Sequence, residues 1–223
     1  MAMKTSGTIR LEPFSDGVFA IAITLLILEI KVPAQAELRA ADGLWRALAE
    51  RWPNYVGYVL SFLVIGVMWA NHHTLFEYIR STNRTLIVIN LVLLVGVGFV
   101  PFPTAVLADH LTEPATRSTA TAFYGATLIF TSLAFNALWW IGRKQGLLGE
   151  TGALNAGIRT IASRYAVALA CYAAATALAL VNIWLSLSIH LVLALWNGFS
   201  DMNASSPLSG GDLAVLDVAT LKR

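Results

Sequence analysis

Polar side chains inside apolar runs are where this 223-residue chain could do chemistry, because each is costly in a low-dielectric interior unless it is paired or faces water. One group, Arg10, Ser15 and Asp16, stands at the head of the first apolar run, in the string Arg10-Leu11-Glu12-Pro13-Phe14-Ser15-Asp16. A second, Trp69, Asn71, His72 and His73, closes the second run. A metal centre or a pH sensor is one reading of the paired histidines. Neighbouring side chains on a helix point about 100° apart, however, which suits two residues poorly to one ion. An intramembrane enzyme would need a nucleophile converging with a base or metal, and the scattered Ser and His residues form no such set. A hydrogen-bonded network remains. If the two groups lie at the same membrane face, Arg10, Ser15 and Asp16 reach Asn71, His72 or His73, with Asp16 paired to one of the two histidines. A simpler account of Ser15 and Asp16 is helix-end chemistry. Pro13 is tolerated in a first turn, so the regular helix is expected to begin near it, with Asp16 favoured there by the helix dipole. Asn90, Asn136, Asn182, His190 and Asn197 read as interhelical hydrogen bonders.

The elements that must position these groups follow from composition. The chain is 57% hydrophobic and only 13% charged, where soluble domains carry about 25% charged residues, so a bilayer is its expected solvent. A spanning helix needs roughly 20 mostly apolar residues. Six segments qualify, at about 13–32, 55–76, 85–107, 119–141, 162–181 and 184–199, the last two divided at Val181, Asn182 and Ile183. The fold class is therefore an all-α integral membrane protein with six transmembrane helices. Residues 1–200 form one unit and 201–223 a flexible tail rich in Ser, Gly and Asp. Pro101 and Pro103 should kink or end the third helix, and the stretch from Pro33 to Asn54 suits a short amphipathic helix on the membrane surface. With a cytoplasmic N-terminus, ten of the fifteen Lys and Arg residues fall on the cytoplasmic side, which places both termini there. A net charge of +2 says little about partners and no basic run points to nucleic acid, Cys171 has no internal disulfide partner, and the loops look too small for a catalytic domain.

Arg10, three residues, then Phe14-Ser15-Asp16, followed eight residues later by Thr24, resembles the signature of the transmembrane protein 175 family. Trp69, Asn71, His72 and His73 resemble the Trp and His cluster that its members carry at the end of the second helix. Pro13 departs from the pattern, where a small residue is expected. The resemblance covers about residues 8 to 200 and implies a prokaryotic member: a homotetrameric, potassium-preferring cation channel of the cell membrane, with the first helix of each subunit lining a central pore. It needs no cofactor. Its partners are other copies of itself, the bilayer and monovalent cations.

The resemblance also places an apolar constriction at Ile21, Leu25 and Leu28, with Thr24 beside it. Positions i, i+4 and i+7 share one helical face, as a straight pore requires, although apolar stripes are common on any membrane helix. No carbonyl filter motif or carboxylate ring accompanies them, so selection would rest on squeezing the ion's hydration shell, and the same rings could close by dewetting. The implied channel is of leak type, and Arg10 to Asp16 become the anchor of the pore helix. A secondary transporter is the competing reading. It calls for broken helices near the midplane, at which Gly96 and Gly98 hint.

Overall fold

In hydrocarbon a single crossing chain satisfies its backbone only as a helix. The computed structural model, which describes residues 6–148 and 152–204, is built of little else. Helix α1 covers Ser6–Leu25 and tightens into a 3-10 turn over Leu26–Glu29. Two short helices, α2 (Gln35–Ala40) and α3 (Leu44–Glu50), lead into α4 (Trp52–Tyr78). Then come α5 (Arg84–Phe99), α6 (Pro101–His110), α7 (Arg117–Lys144), α8 (Gly152–Leu178) and α9 (Ile183–Ala204). Helix α1 packs on α4 and α5, α4 on α6 and α9, and α7 on α5, α6 and α8, while α8 and α9 lie against each other. Among the described residues four stretches are long and apolar enough to cross a membrane: Thr8–Glu29, Trp52–Tyr78, Arg84–His110 and Arg117–Lys144. Tyr165–Leu178 and Ile183–Trp196 are shorter apolar stretches of α8 and α9.

Several boundaries differ from the sequence expectation. Helix α1 begins at Ser6, not near Pro13, which lies inside it. An interior proline costs about 3 kcal/mol, and here packing outweighs that cost. Thr8, Leu11 and Ser15, on either side of the ring, are buried against the bundle and hold the chain helical through it. Asp16 therefore sits in the third turn, and helix-end chemistry does not explain it. Helix α8 starts ten residues before the expected boundary at 162, because backbone hydrogen bonding continues past the end of an apolar stretch. Helix α9 runs to Ala204, and the remainder of the expected tail lies outside the described residues. The amphipathic segment is two helices instead of one, broken where Asp42 (φ 57°) and Gly43 (φ 127°) enter the left-handed region.

Other expectations have direct counterparts. The third apolar segment breaks at Val100, and Pro101 opens α6, where its missing N–H has no intrahelical partner to lose. Asn182 sits in the turn between α8 and α9 and caps α9, its Oδ1 accepting from the N–H groups of Trp184 (3.0 Å) and Leu185 (3.1 Å). Its role is thus capping, not bonding between helices. Asn136 does bridge helices, donating to the carbonyl of Tyr165 on α8 at 3.2 Å. Gly96 breaks nothing. A Cβ there would lie 2.8 Å from the Thr131 hydroxyl of α7, so this glycine permits the close approach of α5 and α7.

Candidate functional site on the first helix

The two sides of α1 have different environments. Thr8, Leu11, Ser15, Phe19, Ala22 and Leu26 recur at helical spacing and are buried against α4 and α5. Within that seam lies a chain of three polar side chains from three helices. The Ser15 hydroxyl donates to the Leu11 carbonyl at 2.9 Å, which fixes the direction of every other link, since a carbonyl can only accept. Asn90 of α5 donates its amide N–H to Ser15 Oγ at 2.9 Å, and its carbonyl accepts from His72 Nε2 of α4 at 2.9 Å. His72 thus carries its proton on Nε2. Its ring is stacked on Phe76 at 4.3 Å and tilted against Phe19 of α1 at 5.3 Å. Ser15, His72 and Asn90 are all buried, and every link is complete. A satisfied network of this kind holds the three helices in one register.

Asp16 stands outside that chain. It pairs with neither histidine and instead accepts the indole N–H of Trp69 at 2.9 Å. The reason is angular: His72 turns inward to Asn90, whereas Trp69 and His73 lie on the exposed side of α4, their rings stacked at 5.9 Å. His73 also comes within 3.9 Å of Glu77. Asn71 contributes its backbone carbonyl, which accepts from the Tyr165 hydroxyl at 3.3 Å. Arg10 is exposed and takes no part in the buried chain, and Phe14 is 54% exposed. The residue that the sequence expectation left out of the network is Asn90, the link between Ser15 and His72. Its signal was present, an amide at the centre of an otherwise apolar run, but which helix it faces depends on packing. Among the described residues no three His, Cys, Asp or Glu side chains are grouped as metal ligands would be.

The other side of α1 is apolar and open. Ile21 is 61% exposed, Leu25 42% and Leu28 66%. Leu28 falls in the 3-10 turn, where residues i and i+3 eclipse, so it stands directly over Leu25 and straightens the stripe at its end. Thr24 directs its hydroxyl at the carbonyls of Ala20 and Ile21, both at 2.9 Å, which commits the proton to the helix and leaves oxygen lone pairs facing outward. Of the four spanning stretches, the one containing α1 is the least covered by its own chain, 28% buried against 39%, 44% and 56% for the others. At the far end the Glu29 carbonyl accepts from Asn54 Nδ2 of α4 at 3.5 Å.

Residues 10–101 match the family model described as endosomal/lysosomal potassium channel TMEM175. A protein of Streptomyces collinus named as a potassium channel is 44% identical over 200 residues, 90% of this chain and 95% of its own length. The Gallus gallus protein named endosomal/lysosomal proton channel TMEM175 is 34% identical over 58% of this chain and 27% of its own. A crystal structure described as a lysosomal potassium-selective channel TMEM175 homolog from Chamaesiphon minutus superposes with a TM-score of 0.80 at 37% identity, covering 88% of this chain and 98% of that one. These relatives are named as ion channels, not as enzymes.

Proposed function

Because this chain belongs to the TMEM175 family of potassium channels, we propose that it forms a homotetrameric, potassium-preferring leak channel in which four copies of α1 surround the conduction path. Each subunit crosses the membrane six times, α8 and α9 included, with both termini in the cytoplasm of a prokaryotic cell. The observation that carries this reading is the division of α1 into a side locked by buried hydrogen bonds and an apolar side that its own subunit leaves uncovered. Such a helix is rigidly held and faces something outside its subunit. Four-fold assembly turns Ile21, Leu25 and Leu28 into stacked rings.

An ion passing these rings must shed part of its hydration shell. Potassium holds water less tightly than sodium and passes at lower cost, while contraction of the rings dewets the path and closes it. The lone pairs of Thr24 offer partial compensation for the lost water. Arg10, Phe14, Asp16, Trp69, Asn71 and His73 are assigned to the anchoring end of the pore helix, where the Asp16–Trp69 hydrogen bond adds to the buried Ser15–Asn90–His72 chain. Potassium and sodium flux into liposomes containing the purified protein tests the assignment. Ile21→Asn or Leu25→Asn should raise sodium flux and reduce the potassium preference by about tenfold, equivalent to about 1.4 kcal/mol. Unchanged preference in both variants would refute the constriction, and a particle without four-fold symmetry would refute the assembly.

A further inference from the structure

Helices α4 and α9 enter the bundle from the same end, and between them lies a cavity of about 470 Å³, within the range of about 300–1,000 Å³ typical of ligand pockets. Its walls are Tyr55, Val59 and Leu60 of α4 with Trp184, Leu187 and Leu191 of α9. Leu60 and Leu187 are buried and form the floor, while the other four are exposed at the rim. Polarity falls along the cavity. At the end where both helices begin, Trp52 stacks on Trp184 at 6.1 Å, the Tyr55 hydroxyl donates to the Leu48 carbonyl at 3.0 Å, and Asn182 caps α9. A few residues deeper the walls are aliphatic apart from Ser188. In a membrane protein, aromatic rings with hydrogen-bonding edges mark the headgroup level and aliphatic side chains the hydrocarbon. The cavity therefore matches a molecule with a polar head at the Trp52–Trp184 level and one apolar tail pointing inward.

We propose that this groove binds one acyl chain of a membrane phospholipid. The assignment rests on the reading that α1 faces the channel axis. Helix α4 touches both α1 and α9, and α9 packs mainly on α4 and α8, so the groove lies on the far side of α4 from α1 and away from the proposed axis. Occupancy has a route to the pore helix, because α4 holds the end of the α1 span through Asn54 and Glu29, and carries the Trp69 and His72 contacts farther along. A bound chain that fits one position of α4 better than another shifts the pore equilibrium by that difference in affinity.

The test is photolabelling of the intact protein in liposomes with a phospholipid bearing a diazirine midway along one acyl chain, followed by peptide mass spectrometry. Labelling should concentrate on residues 55–60 and 184–191. Leu191→Trp and, independently, Val59→Trp should each reduce it by roughly fivefold, because they fill the space the tail needs. Label spread evenly over exposed aliphatic residues of α5 such as Val88 and Val95, or unaffected by both tryptophans, would overturn the proposal. So would covalent dimers formed by a short bis-maleimide from Ser188→Cys in a Cys171→Ser background, which would put a second copy of the chain at the groove. None of these readouts requires ion flux. Labelled but non-conducting protein would refute only the channel reading, and conducting protein without the focused label would refute only this one.

Discussion

The buried and open sides of α1 meet opposite requirements within one helix of Ser6–Leu25. Facing α4 and α5, each polar group has a specific partner, because an unpaired one in the membrane interior has no water to turn to. On the open side Ile21, Leu25 and Leu28 are alike in chemistry and are distinguished only by size and exposure, with Thr24 the one polar side chain beside them. Lipid tails are as apolar as leucine, so burial alone does not bring membrane helices together. Hydrogen bonds and close packing do that on the buried side. The open side is left to whatever faces it.

The sharpest way to break this contrast is Asn90→Leu. It leaves the Ser15 oxygen and the His72 Nε2 proton without their partner and should cost about 2 kcal/mol, read as a lower unfolding midpoint of the detergent-solubilised protein. Adding Ser15→Ala and His72→Phe should recover most of that loss, since removing every member of a polar chain leaves nothing unsatisfied. Failure to recover would mean that the chain is not acting as a unit.

Next in size is Trp69→Phe, which removes the donor to Asp16 at a partly exposed site. It should cost about 1 kcal/mol in the same measurement, less than Asn90→Leu because water can replace the lost bond. An equal or larger loss would move the main anchor from the buried chain to Asp16. On the open side, Ile21→Ala should change stability by no more than about 0.5 kcal/mol while altering flux. Large destabilisation with unchanged flux would reverse the assignment of the two sides.

The smallest effect lies outside the spans. Glu37 accepts from the Ala34 N–H at 2.8 Å and pairs with Arg51 at 2.6 Å, and these contacts hold its carboxyl below the ordinary glutamate value, the Ala34 bond contributing most. A carboxylate depressed in the folded state stabilises above its unfolded value and loses that contribution as pH falls through the depressed one. Acidification should therefore loosen the α2–α3 segment. Arg51→Gln should weaken the dependence, detectable as hydrogen exchange at Gln35–Ala41 that varies less with pH. The pair is exposed, so the effect is small.

The sequence by itself determined what depends on composition and local chemistry. Low charge and long apolar runs required membrane-spanning helices. Pro101 marked a helix break, since a missing N–H acts within a few residues of itself, whereas Asn182, read from the sequence as a bond between helices, proved to be a cap. The motif from Arg10 to Asp16, with Trp69 to His73, led to the family. Tertiary structure decided the matters that depend on what lies across a gap. Pro13 could lie inside α1 because contacts on either side of it outweigh its local cost. His72, not His73, turned inward because one residue's rotation on α4 separates the α5 face from the exposed side. Asn90, 75 residues from Ser15 in the chain, became its partner only when α5 was laid beside α1. Whether a stretch is helical is set mainly by its own residues, Pro13 being the exception here, whereas a side chain's hydrogen-bond partner is set by the helix packed against it.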